Sequence, residues 1–70
     1  MNATRHQIVF VDRQMLVLDG YGRRYDELDV APGRVPVYEA KMKIDDWKKI
    51  YPGIDATRAK RELSRYVAQF

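Results

Sequence analysis

Residues 8–18, IVFVDRQMLVL, decide the fold of this chain. Two runs of β-branched and other apolar residues, 8–11 and 15–18, are separated by the polar segment DRQ. Two such runs at this spacing predict a β-hairpin with a short turn. Because both runs are almost continuously apolar, we expect one of two arrangements. Either both faces of the hairpin are covered, or a helix packs on one face and a partner on the other.

The segment after the hairpin is rich in turn signals. Two glycines within residues 19–22 favour a loop with positive φ, and a short helical turn is expected over residues 25–28. Pro32-Gly33 has the order of a type II turn. Residues 35–40 then predict a third strand. Pro36 has no N–H for a sheet ladder, which places this strand at an edge or ends its pairing there.

Two helices are expected in the C-terminal half. Residues 44–51 predict a short helix with Asp45 or Asp46 at its N-terminus, where carboxylates offset the helix dipole, and with Pro52-Gly53 ending it. Trp47 and Tyr51 lie at positions i and i+4 of this helix. We expect them to pack in the core against the next helix.

The longer helix, residues 56–68, is the best-defined element, and Asp55 is its expected N-cap. Its apolar residues recur at helical spacing and form one stripe. They are Ala56, Ala59, Leu63, Tyr66, Val67 and Phe70. Arg58, Arg61 and Arg65 recur at the same spacing on the opposite side, so we expect them to face away from the core.

Length and composition place these elements in a single domain over residues 1–70. The expected fold class is α+β, with an N-terminal β-hairpin and a possible third strand forming an antiparallel sheet. This sheet packs against a short helix and a longer C-terminal helix. The chain contains no cysteine, which excludes disulfides and thiolate ligands.

Catalytic machinery is not indicated by the residue pattern. His6 is the only histidine and has no evident partner for general base catalysis, so we interpret it as a surface residue. Ser64 lacks the glycine-flanked turn of serine hydrolases. Asp26, Glu27 and Asp29 lack the loop spacing of an oxygen-ligand metal site and are better explained as a solvated loop. We therefore expect a non-enzymatic protein without a cofactor or metal.

The charge of the chain is distributed unevenly. The formal charge is +3, yet residues 1–40 carry five arginines against six acids, whereas residues 41–70 carry eight basic residues against four acids. A basic half favours an anionic partner. The expected contact residues are Arg58, Arg61, Arg65, Lys48 and Lys49. A solvated helix face that keeps the protein in solution explains the same residues about equally well.

A second candidate contact is the loop that follows the hairpin. Tyr21 lies between two glycines and is followed by Arg23 and Arg24. An aromatic ring and two guanidinium groups on a flexible loop are suited to stacking a base and binding phosphates. An ordinary loop is the favoured explanation, because the third glycine of a dinucleotide-binding motif is missing.

Residues 44–63 resemble a segment of bacteriophage DNA-replication and related prophage proteins. In that segment a tryptophan is followed four residues later by Tyr-Pro, and then by an apolar-Asp pair that opens a helix containing Glu-Leu. The matching residues here are Trp47, Tyr51-Pro52, Ile54-Asp55 and Glu62-Leu63. The Glu-Leu pair comes about one helical turn later than in the family pattern, and the basic tail of the family is missing. The resemblance implies a phage or prophage origin and a helix–turn–helix corner.

Three functions remain open from the sequence. The first is a small phage-type protein that binds nucleic acid through the basic face of the C-terminal helix. The second is a phage-type protein that binds and inhibits a host protein such as a polymerase, a nuclease or a CRISPR effector. The third is a structural or assembly module, with homodimerisation as an option. The position of the acidic segment 26–29 distinguishes the first two functions. If this segment lies far from the arginines of the C-terminal helix, nucleic acid is favoured as the partner. If it lies beside them, a protein partner is favoured.

The location of the protein is expected to be cytoplasmic. Residues 1–6 lack the apolar run of a signal peptide. The longest apolar runs have the length of a strand and are too short to cross a bilayer. We therefore expect a soluble protein without a membrane partner.

Overall fold

The computed structural model describes residues 5–70, so the first four residues of the N-terminal segment lie outside it. The expected α+β fold is confirmed. Its elements are β1 (Gln7–Val11), β2 (Gln14–Leu18), β3 (Arg24–Asp29), α1 (Val37–Ile50) and α2 (Ala56–Val67). The strands form one antiparallel sheet in the order β1-β2-β3. Neither helix within residues 5–70 has the length and apolar composition needed to cross a lipid bilayer.

The hairpin predicted from residues 8–18 is formed by β1 and β2. Asp12 and Arg13 make a two-residue turn with φ of 52° and 64°. Positive φ at both positions gives the turn the twist that matches the flanking strands. Val11 and Gln14 face each other next to the turn, and this fixes the register of the rest of the hairpin.

The third strand is β3, and the helical turn predicted over residues 25–28 was wrong. β3 pairs with β2 so that Asp26 lies opposite Val17 and Leu28 opposite Met15. Alternate residues of β3 therefore turn towards the core, while the others face solvent. This alternation is compatible with four charged residues in a six-residue strand, because the strand lies at a sheet edge with one wet face.

The strand predicted over residues 35–40 was also wrong, because α1 begins at Val37. Pro36 precedes the helix with extended backbone angles, and its carbonyl oxygen accepts from the N–H groups of Glu39 and Ala40. A proline at a helix start loses nothing, since the first N–H groups have no intrahelical partner. The turn before it agrees with the prediction, because Gly33 has φ of 84° and Arg34 N–H donates to Ala31.

The early start of α1 gives it 14 residues against 12 in α2, so the prediction of a short helix followed by a longer one was wrong. It also corrects the role assigned to the two aspartates of α1. Asp45 and Asp46 lie in the middle of the helix, too far from its N-terminus to offset the dipole. Asp45 instead forms an ion pair with Lys60 of α2, with 2.7 Å between the carboxylate oxygen and the ammonium nitrogen. The buried residues Ala40, Ile44 and Trp47 continue one stripe along the helix, and this stripe extends the apolar face beyond the predicted segment.

The corner between the helices agrees with the sequence prediction. The Asp55 side chain accepts from Arg58 N–H at 3.0 Å, so it is the N-cap of α2. The Lys48 ammonium donates to the carbonyl oxygens of Pro52 and Ile54 at 2.7 and 2.8 Å. These bonds satisfy backbone oxygens that the turn leaves without helical partners.

The core lies between one face of the sheet and both helices. Trp47 is the largest fully buried side chain, and it packs with Met15 and Val17 of β2 and with Leu63 of α2. Its indole N–H donates to Asp26 at 2.9 Å, which satisfies the one polar atom of the ring. The expectation that Trp47 is a core residue is therefore confirmed.

The opposite face of the sheet has no helix over it within the described chain. Leu16 lies on this face and is nevertheless only 3% exposed. It stands opposite Val9 of β1 and Glu27 of β3, so side chains of the neighbouring strands shield it. Within residues 5–70 the helices therefore pack on a single face of the hairpin, and the partner expected on the other face stays a prediction.

The phase of α2 can be tested by truncating neighbouring residues. We expect Leu63→Ala to lower the free energy of unfolding by about 2–5 kcal/mol, because it leaves a cavity in the core. Ser64→Ala is the matched control on the exposed side and should change it by less than about 0.5 kcal/mol. Urea denaturation followed by tryptophan fluorescence measures both. Equal losses in the two variants would show that the assigned phase is incorrect.

Candidate functional site

An open groove of about 700 Å³ runs between the outer edge of β1 and α2. We call it the edge groove. Residues 5–10 line one side, Gly20 and Gly53 are also part of its lining, and the helix side consists of Asp55, Arg58, Ala59, Glu62, Arg65, Tyr66 and Gln69. Its length is about 16 Å, estimated from the helical rise over the eleven residues that separate Asp55, the N-cap of α2, from Tyr66.

The relative placement of β1 and α2 is fixed at both ends of the groove. At one end the Arg5 guanidinium donates to the Gly53 carbonyl oxygen at 3.4 Å. At the other end Arg13 N–H donates to the Tyr66 hydroxyl at 2.7 Å. β1 and α2 therefore run side by side in the same direction, and the groove lies between these two contacts.

The outer edge of β1 carries backbone groups that point away from the sheet. Because Val11 and Gln14 flank a two-residue turn, they form a hydrogen-bonded pair, and bonded pairs then alternate along the strand. Val9 is therefore bonded to β2, whereas the N–H and C=O groups of Ile8 and Phe10 face outward. Among residues 5–70, no strand pairs with this edge.

The edge groove has mixed charge with an excess of cations. Arg58 donates to Glu62 at 2.8 Å, so these two charges offset each other. The Asp55 carboxylate caps the N-terminus of α2, where it accepts from Arg58 N–H. Arg65 makes no ion pair with any residue between Arg5 and Phe70. The guanidinium groups of Arg5 and Arg65 are thus the available charges.

The aromatic residues at the far end of the groove are packed against one another. The rings of Phe10 and Tyr66 have centroids 5.4 Å apart, and those of Tyr66 and Phe70 are 5.1 Å apart. The Arg13 guanidinium lies over the Phe70 ring at 5.2 Å. The two rings that line the groove, those of Phe10 and Tyr66, are half-buried and pack against each other, so they offer little free surface for stacking a base.

The structure brings only part of the predicted basic surface together. Arg58 and Arg65 line the edge groove, whereas Arg61 is exposed and lies outside its lining. Arg61 is rotated from Arg58 by about 60° around the helix axis. On α1, Lys49 is exposed, and the Lys48 ammonium is engaged by the corner carbonyl oxygens.

The loop predicted as a second contact is organised by Asp19, a buried carboxylate. One of its oxygens accepts from the N–H groups of Tyr21 and Arg23, and the other accepts from Arg23 Nε and from the Tyr25 hydroxyl. Tyr21 is 75% exposed, and the Arg23 guanidinium lies 5.8 Å from the centre of its ring. Arg24 pairs with Glu27 at 3.2 Å. Both loop arginines therefore have carboxylate partners.

Hydrogen bonds decide the ionisation of Asp19. Burial by itself raises the pKa of this carboxyl, but the donors from Tyr25, Arg23 and Tyr21 outweigh burial and hold it well below its usual range. The same bond raises the pKa of Tyr25, because the hydroxyl proton is shared with a carboxylate. Asp19 is thus an ionised structural residue that fixes the β2–β3 loop.

The acidic segment 26–29 lies in β3, at the sheet edge opposite the one beside α2. Asp26 accepts from Trp47, and Asp29 pairs with Arg34 at 3.5 Å. His6 is half-buried, with its ring 4.4 Å from that of Tyr25 and 4.6 Å from that of Tyr51. The interpretation of His6 as an ordinary surface residue was therefore incomplete.

Several groups in and beside the groove had not been identified from the sequence. Arg5 and the outward backbone of Ile8 and Phe10 can be assigned to the groove only once the strand order is known. Asp19 before a two-glycine loop is the one local signal, since aspartate often accepts from backbone N–H groups two residues on. Within the described part of the chain, no three His, Asp or Glu side chains group as metal ligands do.

Comparison of the chain with protein-family models, curated proteins and solved structures finds no match. The resemblance of residues 44–63 to phage replication proteins therefore stays a prediction.

The role of Asp19 can be tested by Asp19→Asn. We expect the thermal unfolding midpoint at neutral pH to fall by several degrees, because an amide has one acceptor oxygen and turns N–H donors towards other donors. Circular dichroism melts measure this. Asp46→Asn is the control and should change little, because this exposed carboxyl makes no side-chain hydrogen bond or ion pair within residues 5–70.

The pH dependence of the same pair of proteins gives a further test. The folded pKa of Asp19 is lowered, so its contribution to stability is complete above about pH 4 and is lost as the pH falls through the folded pKa. The difference between wild type and Asp19→Asn should therefore shrink in acid. A difference that stays constant down to about pH 2 would contradict this role.

Proposed function

We propose that this domain is a non-catalytic protein-binding module and that its binding surface is the edge groove. The observation that supports this most directly is the open edge of β1 beside a helix face that carries Arg58, Arg65 and Tyr66. Arginine and tyrosine are enriched at protein interfaces, where they combine apolar contact with hydrogen bonding. The phage or prophage origin that the resemblance of residues 44–63 implies supports a host protein as the partner, and we propose inhibition of that protein as the role of the module.

The charge pattern in the groove favours a protein over nucleic acid. Asp55 and Glu62 lie on the same wall as the arginines, so a phosphate backbone following the groove would meet carboxylates. Binding of single strands typically combines a uniformly basic groove with open aromatic platforms. Here Phe10 and Tyr66 pack against each other, which leaves little for a base to stack on.

Nucleic acid binding is the second candidate, and one observation favours it. The acidic residues of β3 lie at the sheet edge away from α2, so they do not oppose phosphates near the arginines. In this mode the contacts come from the exposed face of α2, with Arg61 and Arg65 as equal participants. A third possibility, an assembly module, predicts self-association.

The variants Arg65→Glu and Arg61→Glu separate the two candidates, because only Arg65 lines the edge groove. We expect Arg65→Glu to weaken binding of a peptide selected from a displayed library of random nine-residue peptides by about tenfold or more. Arg61→Glu should leave it nearly unchanged. Fluorescence polarisation measures the affinity, and circular dichroism checks that both variants are folded.

The corresponding experiment with nucleic acid uses labelled single- and double-stranded oligonucleotides over a series of salt concentrations. The proposal predicts weak binding or none. Tight binding with a linear log–log salt dependence, lost equally in Arg61→Glu and Arg65→Glu, would overturn the protein-binding proposal in favour of phosphate contacts. Failure to select any peptide from the library would also overturn it.

A further inference from the structure

We infer that the edge groove takes an extended, acidic polypeptide segment that adds a fourth strand to the sheet alongside β1. This inference rests on the proposed function and specifies the chemistry of the partner and its mode of binding. It is carried by the outward backbone groups of β1, by the dimensions of the groove and by its excess of cations.

The backbone of β1 offers the pattern that an incoming strand requires. The N–H and C=O groups of Ile8 and Phe10 point into the groove and are about 6.7 Å apart along the strand, two residues at the usual rise. An extended segment matches this repeat with its own alternate residues. Side-chain docking alone would leave these four polar groups without protein partners.

The groove has the length of a short strand. Five extended residues span about 17 Å, which matches the roughly 16 Å between Asp55 and Tyr66 along α2. A strand placed about 4.8 Å from β1 turns one face towards the helix. The apolar side chains on that face would contact Ala59 and Tyr66 of α2. Ala59 lies between Arg58 and Arg65 along the helix, and Tyr66 follows Arg65.

The charges indicate an acidic segment. Arg5 lies two residues before β1, at one end of the groove, and Arg65 lies towards the other end, next to Tyr66. Neither makes an ion pair within residues 5–70. A segment with acidic residues towards both ends and β-branched residues between them would place a carboxylate near each of these two guanidinium groups. Charge pairs at the rim of an interface select the partner and fix its register.

A second copy of this chain that pairs through its own β1 is a poorer occupant. β1 contains no acidic residue between Gln7 and Val11, so a second β1 strand would bring no carboxylate from within the strand to Arg65. Pairing between the β1 strands of two copies would therefore leave the cations of the groove uncompensated.

The experiment begins with the same displayed library of random nine-residue peptides. We expect enrichment of sequences with acidic residues near both ends and β-branched residues in the middle. A synthetic copy of an enriched peptide is then compared with a version in which the acids are replaced by lysine. The lysine version should bind at least about tenfold more weakly.

Amide hydrogen exchange, measured by NMR, tests strand addition at single residues. In the free protein the amide of Val9 should exchange slowly, because it is bonded to β2, and those of Ile8 and Phe10 should exchange fast. With the acidic peptide bound, exchange at Ile8 and Phe10 should slow by about tenfold or more, while Val9 stays slow and is the internal control.

Each other outcome has a distinct meaning. A peptide that binds without protecting Ile8 and Phe10 overturns strand addition and leaves the proposed function standing. Failure to select any peptide overturns both. Protection of the two amides without peptide, together with a dimer mass in sedimentation, shows that a second copy occupies the edge and overturns the inference. Selection of peptides without acidic residues overturns the charge argument.

Discussion

The arrangement of the whole molecule depends on the burial of one side chain, the indole of Trp47. Its ring fills the space between the sheet and the helices, and its N–H is bonded to Asp26 of β3. This bond ties α1 to the β3 side of the sheet. The corner after α1, closed by Lys48 and capped by Asp55, then directs α2 along β1. The free edge of β1 beside a helix follows from this order of packing.

An open strand edge is a hazard for most proteins, because its unpaired backbone groups attract other strands. Two features restrict access to this edge. The α2 helix lies beside it, and Arg5 and Arg65 stand near its two ends. Positive charges near an edge disfavour pairing with another basic strand, while they attract an acidic one. Selectivity for an acidic segment is thus consistent with protection against non-specific pairing.

The hairpin and α2 were predictable because their apolar residues repeat at the spacing of a strand and of a helix. β3 was not predictable, because charged residues occupy most of its positions. Among these, Asp26 faces the core, where its carboxylate accepts from the Trp47 indole, and the sequence pattern does not reveal this contact. The start of α1 at Val37 was not predicted, because Pro36 is compatible with an edge strand as well as with a helix start. Arg58 and Arg65 were predicted as contacts. The position of Arg61 outside the groove was not predicted, because it depends on which strand lies beside α2.

The most direct test of strand addition to β1 is to detect the hydrogen bonds themselves. An enriched acidic peptide labelled with ¹³C at its carbonyl carbons is bound to ¹⁵N-labelled protein, and through-hydrogen-bond scalar couplings are measured by NMR. Strand addition predicts couplings from the amide nitrogens of Ile8 and Phe10 to alternate peptide carbonyls, and none from Val9, whose N–H is bonded to β2. A tightly bound peptide that gives no coupling to either Ile8 or Phe10 would contradict it.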